Sequence, residues 1–283
     1  MNEPMDFSKC VVWITGASSG IGAALATQLA KRGSSLVLSA RDTSALESVR
    51  NECLRNGATP DTVMVLPLDV LDIDAMADRT AEVVAQFGRI DLLLNNAGVS
   101  QRSTCVDTDL SVYRQMLDIN VLGPIALSKA VLPMMLKQGS GTIAVTSSVA
   151  GKVGAPLRTG YCAAKHAVMG FFDALRTEIG PLGLQVTTIT PGFIRTNVAR
   201  NALNAQGKAA GMSDDDIEGG MSADECATAI IEGFVAGLPE IAVGKGPEMA
   251  LLDLKRTDPE AAFRMLEEMA VKSGAIAVPH RQH

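Results

Sequence analysis

The stretch Thr15-Gly16-Ala17-Ser18-Ser19-Gly20-Ile21-Gly22 lies between a short apolar run and a segment in which apolar residues recur at helical spacing. Its glycines are spaced G-x-x-x-G-x-G, with one more residue in the first gap than the common dinucleotide fingerprint. Gly16 would permit a tight turn, Gly20 would let the backbone approach a pyrophosphate, and Gly22 would allow the helix to pack closely. The stretch predicts an anion-binding turn between a strand and a helix, although an ordinary glycine-rich turn has the same composition.

On both sides of this turn, apolar runs rich in β-branched residues alternate with longer segments of helical period. This alternation is typical of βαβ units, whose crossovers are right-handed in nearly all proteins. We therefore expect an α/β fold, namely a single Rossmann-type, doubly wound parallel sheet of about seven strands with helices on both faces. The predicted strands are residues 10–15, 35–40, 62–67, 91–94, 142–146, 185–190 and 241–243. The predicted helices are residues 21–32, 43–56, 73–87, 111–137, 161–180 and 223–236. One domain is expected over residues 1–283, with a core over 8–245 and a helical C-terminal extension over 246–283.

Composition and charge exclude several classes of protein. The chain has 283 residues, 47% of them hydrophobic, and a net charge of −6, so it can bury one large core but has no basic stripe for nucleic acid. Its five cysteines are scattered and its three histidines lie far apart, which argues against a disulfide framework and a metal site. No apolar run approaches the roughly 18 residues of a membrane span, and the first residues lack a signal pattern. We expect a cytoplasmic protein with no membrane partner.

Further motifs follow the glycine turn in a fixed order along the predicted elements. They are Asn95-Asn96-Ala97-Gly98 after the fourth strand, Asn120 in the long helix, Ser147-Ser148 ending the fifth strand, Tyr161-Cys162-Ala163-Ala164-Lys165 opening a helix, and Pro191-Gly192 ending the sixth strand. Each motif alone has a plain alternative, such as a turn, a polar strand end or a surface pair of helical residues. Taken together, the chain resembles the short-chain dehydrogenase/reductase family, with a fainter similarity to its member 7 and hydroxysteroid dehydrogenase subgroups.

Tyr161 and Lys165 are four residues apart, so both side chains project from one face of a helix. A free phenol has a pKa near 10 and is a sluggish proton donor or acceptor at neutral pH. An ammonium about 4 Å away favours the phenolate by about 4 kcal/mol at an effective dielectric constant near 20. We therefore expect Lys165 to lower the pKa of Tyr161, which would protonate a carbonyl oxygen in reduction and deprotonate an alcohol in oxidation. The resemblance implies that Lys165 also binds the nicotinamide ribose.

Two further polar residues complete the expected catalytic set of Asn120, Ser148, Tyr161 and Lys165. Ser148 lies thirteen residues before Tyr161, the separation that the family uses, and is expected to hydrogen-bond the substrate oxygen. Its neighbour Ser147 should point elsewhere because side chains alternate along a strand. The resemblance implies that Asn120 distorts its helix and holds a water linking Lys165 to solvent. Alternatively, Asn120 caps a break before Gly123-Pro124.

The end of the second strand, Leu38-Ser39-Ala40-Arg41-Asp42, bears on the choice of cofactor. Family members that prefer NAD place an aspartate where this chain has Ala40, because a carboxylate receives the ribose 2′-hydroxyl and repels a 2′-phosphate. Arg41 follows, and a guanidinium can clamp a phosphate with two hydrogen bonds. We predict NADP(H) in preference to NAD(H). Pairing of Arg41 with Asp42 or solvent is the alternative, and Ser19 stands where many NADP-using relatives carry a basic residue.

The remaining site residues come from the resemblance. Asp69 and Val70 would contact the adenine, and the loop from Pro191 to Thr196 would hold the nicotinamide carboxamide. Asp69 could equally be only the cap of the following helix, and the two roles are compatible. The implied cofactor-binding residues are Gly16, Ser18, Ser19, Gly20, Ile21, Gly22, Arg41, Asp69, Val70, Asn96, Ala97, Gly98, Tyr161, Lys165, Pro191, Gly192, Ile194 and Thr196. The residues expected to line the substrate pocket are Ser100, Val153, Pro156, Leu157, Phe193 and Met212.

This largely apolar lining indicates a medium-sized hydrophobic ketone or alcohol as the small-molecule substrate. The resemblance also implies a homodimer or homotetramer. Two alternatives to an enzyme remain, namely a protein that binds NADP(H) to regulate without turnover and a scaffold that uses the fold only as architecture. The intact set of catalytic residues argues against both.

Overall fold

A parallel sheet forms the centre of the protein. The computed structural model describes residues 5–212 and 215–272. Its strands are β1 (Val11–Thr15), β2 (Ser35–Ser39), β3 (Val63–Val65), β4 (Leu92–Asn95), β5 (Thr142–Thr146), β6 (Gln185–Pro191), β7 (Ile194–Arg195), β8 (Met221–Ser222) and β9 (Glu240–Val243). Seven of them form one sheet in the order β3-β2-β1-β4-β5-β6-β9, and all neighbours pair in parallel. The predicted doubly wound sheet is confirmed. Its order reverses between β1 and β4, where such sheets open a ligand crevice at the carboxyl ends of the strands.

Helices cover both faces of the sheet. The described chain contains the helices α1 (Gly20–Lys31), α2 (Thr43–Arg55), α3 (Met76–Phe87), α4 (Leu110–Leu117), α5 (Gly123–Gln138), α6 (Thr159–Ile179), α7 (Asp215–Glu218), α8 (Ala223–Val235), α9 (Ala250–Thr257) and α10 (Pro259–Lys272). On β1, Val12 and Ile14 pack towards α1, α2 and α8, whereas Val11 and Trp13 pack towards α3, α5 and α6. Because both faces of the strand are covered, β1 is apolar at nearly every position rather than alternating.

Some boundaries differ from the sequence-based expectation. The strand predicted over 62–67 is shorter and covers only Val63–Val65, although the Leu66 and Leu68 amides still bond to the carbonyls of Leu38 and Ala40. The helix predicted over 111–137 is split into α4 and α5 by a π-helical turn over Asp118–Leu122. The pairing of β7 with β8 was not predicted. It connects the loop after β6 to the start of α8.

One segment of the described chain, Leu110–Gln138, is long and apolar enough to cross a membrane by length and composition. The expectation that no segment meets this criterion is therefore wrong. Half of its most apolar window is buried inside the protein, where Leu127 and Val131 pack against the sheet. A helix that covers the middle of a parallel sheet has to be this apolar to bury its inner face.

The C-terminal extension returns to the sheet. A 3₁₀ turn over Pro247–Met249 leads into α9 and α10, which confirms the helical prediction up to Lys272, while residues 273–283 lie outside the described chain. Leu251 of α9 and Leu266 of α10 form an apolar cluster with Val149 and Val153, which follow β5. The extension therefore covers the carboxyl end of the sheet near the predicted catalytic serine.

Candidate active site

A cavity of about 870 Å³ runs along the carboxyl ends of the strands. One end is formed by the glycine turn and Arg41, and the other end by the C-terminal helices α9 and α10. Tyr161, Lys165 and Ser148 line the wall between these two ends. The tertiary fold thus brings the separate sequence motifs to one continuous cavity, of a size that holds a large ligand.

The glycine turn has the geometry expected of a close backbone approach. Gly16 has a φ of +67°, and a Cβ at this position would lie 2.9 Å from the Ala97 Cα. A Cβ at Gly22 would lie 2.3 Å from the Gly16 carbonyl oxygen, so helix α1 can begin here only with glycine. Ser19 is the N-cap residue of α1 but its side chain makes no capping hydrogen bond. The first amides of α1 are therefore available to an anion.

Arg41 and Asp42 follow β2 at the same end of the cavity, and both line it. The Asp42 carboxylate accepts hydrogen bonds from the Ala45 N–H at 3.0 Å and the Ser44 hydroxyl at 2.7 Å, and so caps α2. Arg41 is exposed, and across residues 5–212 and 215–272 no hydrogen bond or ion pair engages it. Arg41 does not pair with Asp42, because the Asp42 carboxylate caps α2 instead.

Asp69 and Val70 also line the cavity, as expected for the adenine side. The Asp69 carboxylate accepts the Leu71 N–H at 3.0 Å and so closes a local turn. Helix α3 begins only at Met76, so the alternative in which Asp69 caps that helix is wrong. Val70 contacts the start of α5, where a Cβ at Gly123 would lie 2.9 Å from the Val70 Cβ.

Asn96 connects the ends of three strands. Its backbone N–H donates to the Thr15 hydroxyl at 3.0 Å, and its side-chain amide donates to the Thr15 carbonyl at 3.1 Å. The Thr146 hydroxyl donates to the Asn96 side-chain oxygen at 3.2 Å. Asn96, Ala97 and Gly98 line the cavity, and these bonds hold their loop over the glycine turn. The Asn-Asn-Ala-Gly motif thus fixes the edge of the predicted cofactor site.

Asn120 lies in the π-helical turn and is 1% exposed. Its Oδ1 accepts the Val99 N–H at 3.2 Å, and its Nδ2 donates to the carbonyls of Val99 at 3.1 Å and Met116 at 3.0 Å. The side-chain amide of Asn120 therefore hydrogen-bonds a backbone carbonyl one turn earlier in the helix, which accounts for the local widening of the helix. The expected helix distortion is confirmed, while the water next to Lys165 stays a prediction.

Tyr161 and Lys165 project from α6 into the cavity wall, with the Lys165 Nζ 5.7 Å from the centre of the Tyr161 ring. The Nζ donates to the Thr146 carbonyl at 2.8 Å. Lys165 is 5% exposed, and burial lowers its pKa to about 8. Burial also raises the pKa of Tyr161, against the opposing effects of a Ser148 hydrogen bond and the nearby Arg158 charge. The expected lowering of the Tyr161 pKa is therefore wrong for the protein alone, because desolvation of the phenolate exceeds the attraction of these neighbours.

The two serines after β5 point in different directions, as predicted from strand alternation. The Ser148 hydroxyl accepts the Ala150 N–H at 3.1 Å, donates to the Pro191 carbonyl at 3.5 Å, and lines the cavity beside Tyr161. The Ser147 hydroxyl is buried and donates to the Lys165 carbonyl at 3.2 Å. Ser147 thus holds the backbone of α6, whereas Ser148 is placed to meet a ligand.

The loop after β6 forms the floor between the two ends of the cavity. Pro191, Gly192, Ile194 and Thr196 all line it. The Gly192 N–H donates to the Val243 carbonyl at 2.8 Å, and the Thr196 hydroxyl donates to the Ile194 carbonyl at 3.4 Å. The loop is therefore held by β9 on one side and by its own turn on the other.

More residues line the cavity than were predicted from the sequence for its substrate end. The predicted lining residues Ser100, Val153, Pro156, Leu157 and Phe193 do line the cavity. The prediction for Met212 is wrong, because its loop places the side chain outside the cavity, where it is 59% exposed. Leu157 has a φ of +61°, an unusual conformation for a side-chain-bearing residue at a site wall. Among the lining residues that were not predicted from the sequence are Arg102, Arg158, Glu248, Leu251, Leu266 and Met269. The amphipathic spacing in the C-terminal helices was the available signal for the last three.

Within the described ranges, no group of three or more His, Cys, Asp or Glu side chains has the arrangement of a metal site. The described cysteines are all free thiols.

Comparisons with known proteins agree with this geometry. A family model described as short chain dehydrogenase matches residues 10–207. "Dehydrogenase/reductase SDR family member 7" from Homo sapiens is 40% identical over 269 residues, which cover 94% of this chain and 79% of the human protein. The crystal structure of levodione reductase superposes with a TM-score of 0.76 at 27% identity, covering 85% of this chain and 98% of that chain. An alcohol dehydrogenase from the archaeon Thermococcus sibiricus, complexed with 5-hydroxy-NADP, has a TM-score of 0.71 at 26% identity and covers 84% of this chain and 99% of that chain.

Proposed function

The chain belongs to the short-chain dehydrogenase/reductase family and is an NAD(P)-dependent oxidoreductase, and on this basis we propose that it uses NADP(H) to interconvert a hydrophobic ketone and its alcohol. The observation that carries the proposal is the shared cavity. Ser148, Tyr161 and Lys165 line its middle, between the glycine turn on one side and an apolar pocket on the other. A reacting carbonyl placed there would meet a nicotinamide ring and a proton donor at the same time.

In this proposal, each of the three side chains has one task. Ser148 hydrogen-bonds the substrate oxygen, and Tyr161 donates a proton to that oxygen in reduction. Lys165 supplies positive charge beneath the phenol and a donor for the nicotinamide ribose. The bound nicotinamide supplies or accepts the hydride. A phenol whose pKa is raised by burial holds its proton at neutral pH, so reduction is favoured there and alcohol oxidation is expected to accelerate as the pH rises.

Arg41 and Ala40 support the preference for NADP(H). No carboxylate stands at the position of Ala40, and Arg41 lines the cavity with its guanidinium uncommitted within the described chain. A 2′-phosphate beside Arg41 would form charge-assisted hydrogen bonds that a 2′-hydroxyl cannot form. The Thermococcus sibiricus enzyme, whose fold is similar, is complexed with 5-hydroxy-NADP. The absence of a basic residue at Ser19 leaves Arg41 to make this discrimination.

The test of turnover is a panel of hydrophobic ketones with NADPH, run on the wild type, Tyr161→Phe and Tyr113→Phe. The chain has two tyrosines, so Tyr113 is a matched control. Its hydroxyl bonds to the Thr159 hydroxyl at 2.8 Å, away from the cavity lining. We expect Tyr161→Phe to lose about 10²-fold or more in kcat and Tyr113→Phe to retain it. A Tyr161→Phe variant as active as the wild type would remove the phenol from the mechanism.

The test of cofactor preference compares kcat/KM for NADPH and NADH in the wild type, Arg41→Ala, Arg41→Asp and Arg32→Ala. A charged hydrogen bond is worth about 1.5–3 kcal/mol, so Arg41→Ala should lower the NADPH-to-NADH ratio by about 10- to 100-fold. Arg41→Asp should reverse the preference. Arg32, an exposed arginine that bonds the Gln28 carbonyl at the end of α1, is the control and should leave the ratio unchanged. Equal use of both cofactors by the wild type would refute the assignment.

We also propose a cytoplasmic location and a homodimer or homotetramer. Free thiols at all the described cysteines suit a reducing compartment. The outer face of α6 is exposed and built of small residues, including Ala163, Ala167, Gly170 and Ala174, which allows close approach of a second copy. Light scattering of the purified protein tests the assembly, and a monomer at micromolar concentration would contradict it.

A further inference from the structure

Glu248 is a buried carboxylate to which the proposed mechanism gives no task. It is 5% exposed, lies in the turn between β9 and α9, and contributes to the cavity wall. Across the described residues, no lysine, arginine or histidine forms an ion pair with it. Burying a carboxylate costs free energy unless hydrogen bonds compensate. The fold therefore holds a buried carboxylate without an ion-pair partner in the wall of the proposed active-site cavity.

The surroundings of Glu248 are shaped to receive it. Its Oε1 accepts the Phe193 N–H at 2.9 Å, whereas the buried Oε2 has no hydrogen-bond partner. A Cβ at Gly192 would lie 2.1 Å from Oε1, and a Cβ at Gly246 would lie 2.0 Å from Oε2. Neither glycine has a positive φ. These two positions thus lack side chains because the carboxylate occupies the space, and not because the backbone requires glycine.

The peptide segment that Glu248 holds is also the one that faces Ser148. The Pro191 carbonyl accepts the Ser148 hydroxyl at 3.5 Å, and the Phe193 N–H, two residues later, donates to Glu248. The Gly192 N–H between them is held by the Val243 carbonyl of β9. The Phe193 carbonyl also accepts the Met221 N–H of β8 at 3.0 Å, so at least four hydrogen bonds hold this turn, and Glu248 makes the one on the side of the C-terminal extension. Loss of that bond would release the Phe193 N–H and weaken the hold on the turn that faces Ser148.

We propose that Glu248 is a positioning residue that sets the Pro191-Gly192-Phe193 turn against Ser148 and so couples the C-terminal extension to hydride transfer. The inference builds on the proposed function, since it assigns the carboxylate a part in the geometry of that reaction. A displacement of about 1 Å at a reacting group can lower a rate by about 10²-fold. The same extension supplies Leu251 and Leu266 to the substrate pocket, so one structural unit shapes the pocket and holds the turn.

The test uses Glu248→Ala, Glu248→Gln and Gly246→Ala in the full chain. Glu248→Gln keeps an oxygen acceptor for the Phe193 N–H and should retain kcat within about threefold. Glu248→Ala should lower kcat by about tenfold or more, while the NADPH dissociation constant, measured by fluorescence, changes less than about threefold. Gly246→Ala lies outside the cavity lining, yet its new methyl displaces the carboxylate, so it should lower kcat in the same way.

A double variant sharpens the result. In a Glu248→Ala background the methyl of Gly246→Ala meets no carboxylate, so the double variant should be no slower than Glu248→Ala. Rate losses that multiply, or a Glu248→Ala enzyme with wild-type kcat, would overturn the inference. Hydrogen exchange at the Phe193 amide gives a readout that does not need turnover, and protection should fall in Glu248→Ala. If the wild type turns over no ketone, the proposed function fails, whereas unchanged Phe193 protection refutes the role of Glu248 alone.

Discussion

Replacement of Lys165 by methionine should stabilise the folded protein at neutral pH and abolish turnover. Burial lowers the pKa of Lys165 from 10.5 to about 8, so the unfolded chain binds more protons between these pH values and stability rises with pH across that window. Below pH 8 both states are protonated and the cost of burying the charge is complete, about 3 kcal/mol at about 1.4 kcal/mol for each pKa unit. Methionine fills a similar volume without a charge. Loss of the hydrogen bond to the Thr146 carbonyl costs about 1 kcal/mol. The net increase in unfolding free energy is therefore about 2 kcal/mol.

The assay is urea unfolding of the wild type and Lys165→Met at pH 7, 8 and 9. Because other groups titrate equally in both proteins, the difference in unfolding free energy isolates Lys165. We expect this difference to shrink by about 1 kcal/mol from pH 7 to pH 9, as the wild type loses its buried proton. Lys129→Met, at an exposed position on α5, is the control and should show no such trend. A pH-independent difference for Lys165→Met would refute the assignment of a buried charge.

Further variants test the remaining parts of the structure. Gly22→Ala should abolish nucleotide binding, measured by fluorescence titration, because its Cβ would lie 2.3 Å from a backbone oxygen of the glycine turn. Gly170 is an exposed helical glycine with open space around it, so Gly170→Ala should instead raise the unfolding free energy by about 1 kcal/mol. Ser39→Ala should cost about 1–3 kcal/mol in urea unfolding, since the buried Trp13 indole N–H donates to its hydroxyl at 2.9 Å. Leu266→Ala should shift kcat/KM towards bulkier ketones by about tenfold, because it removes apolar wall from the substrate end; unchanged selectivity would place substrate elsewhere.

Two buried ionisable side chains lie in the wall of the proposed active-site cavity. Lys165 and Glu248 both have buried ionisable side chains, and neither has an ion-pair partner in the described parts of the chain. Burying an ionisable group without an ion-pair partner costs free energy unless hydrogen bonds compensate, and such groups cluster at functional sites. Lys165 has a task in the proposed chemistry itself, and Glu248 has one in holding the turn beside it. Replacement of Lys165 or Glu248 should therefore affect the unfolding free energy and the turnover rate differently.

Local order along the chain was enough to predict the sheet, the glycine turn and the shared helix face of Tyr161 and Lys165, whereas the catalytic roles of Asn120, Ser148, Tyr161 and Lys165 stay predictions. Each depends on short-range rules: Gly22 has to be small where a helix starts against a turn, and Tyr161 and Lys165 share a helix face at a separation of four residues. Strand alternation likewise separated Ser148 from Ser147. These features are readable because the residues concerned are close in sequence or follow directly from an element's period.

Contacts between distant segments could not be read in this way. The upward direction of the Tyr161 pKa depends on how much protein surrounds the phenol, and desolvation has no sequence motif. The hydrogen bond from the Phe193 N–H to Glu248 joins segments that are tens of residues apart in the sequence. The exposure of Met212 and the position of Leu266 in the cavity wall likewise depend on distant segments of the chain. Such pairs are set by how the C-terminal helices dock on the sheet, because burial and long-range hydrogen bonds exist only once the whole chain has packed.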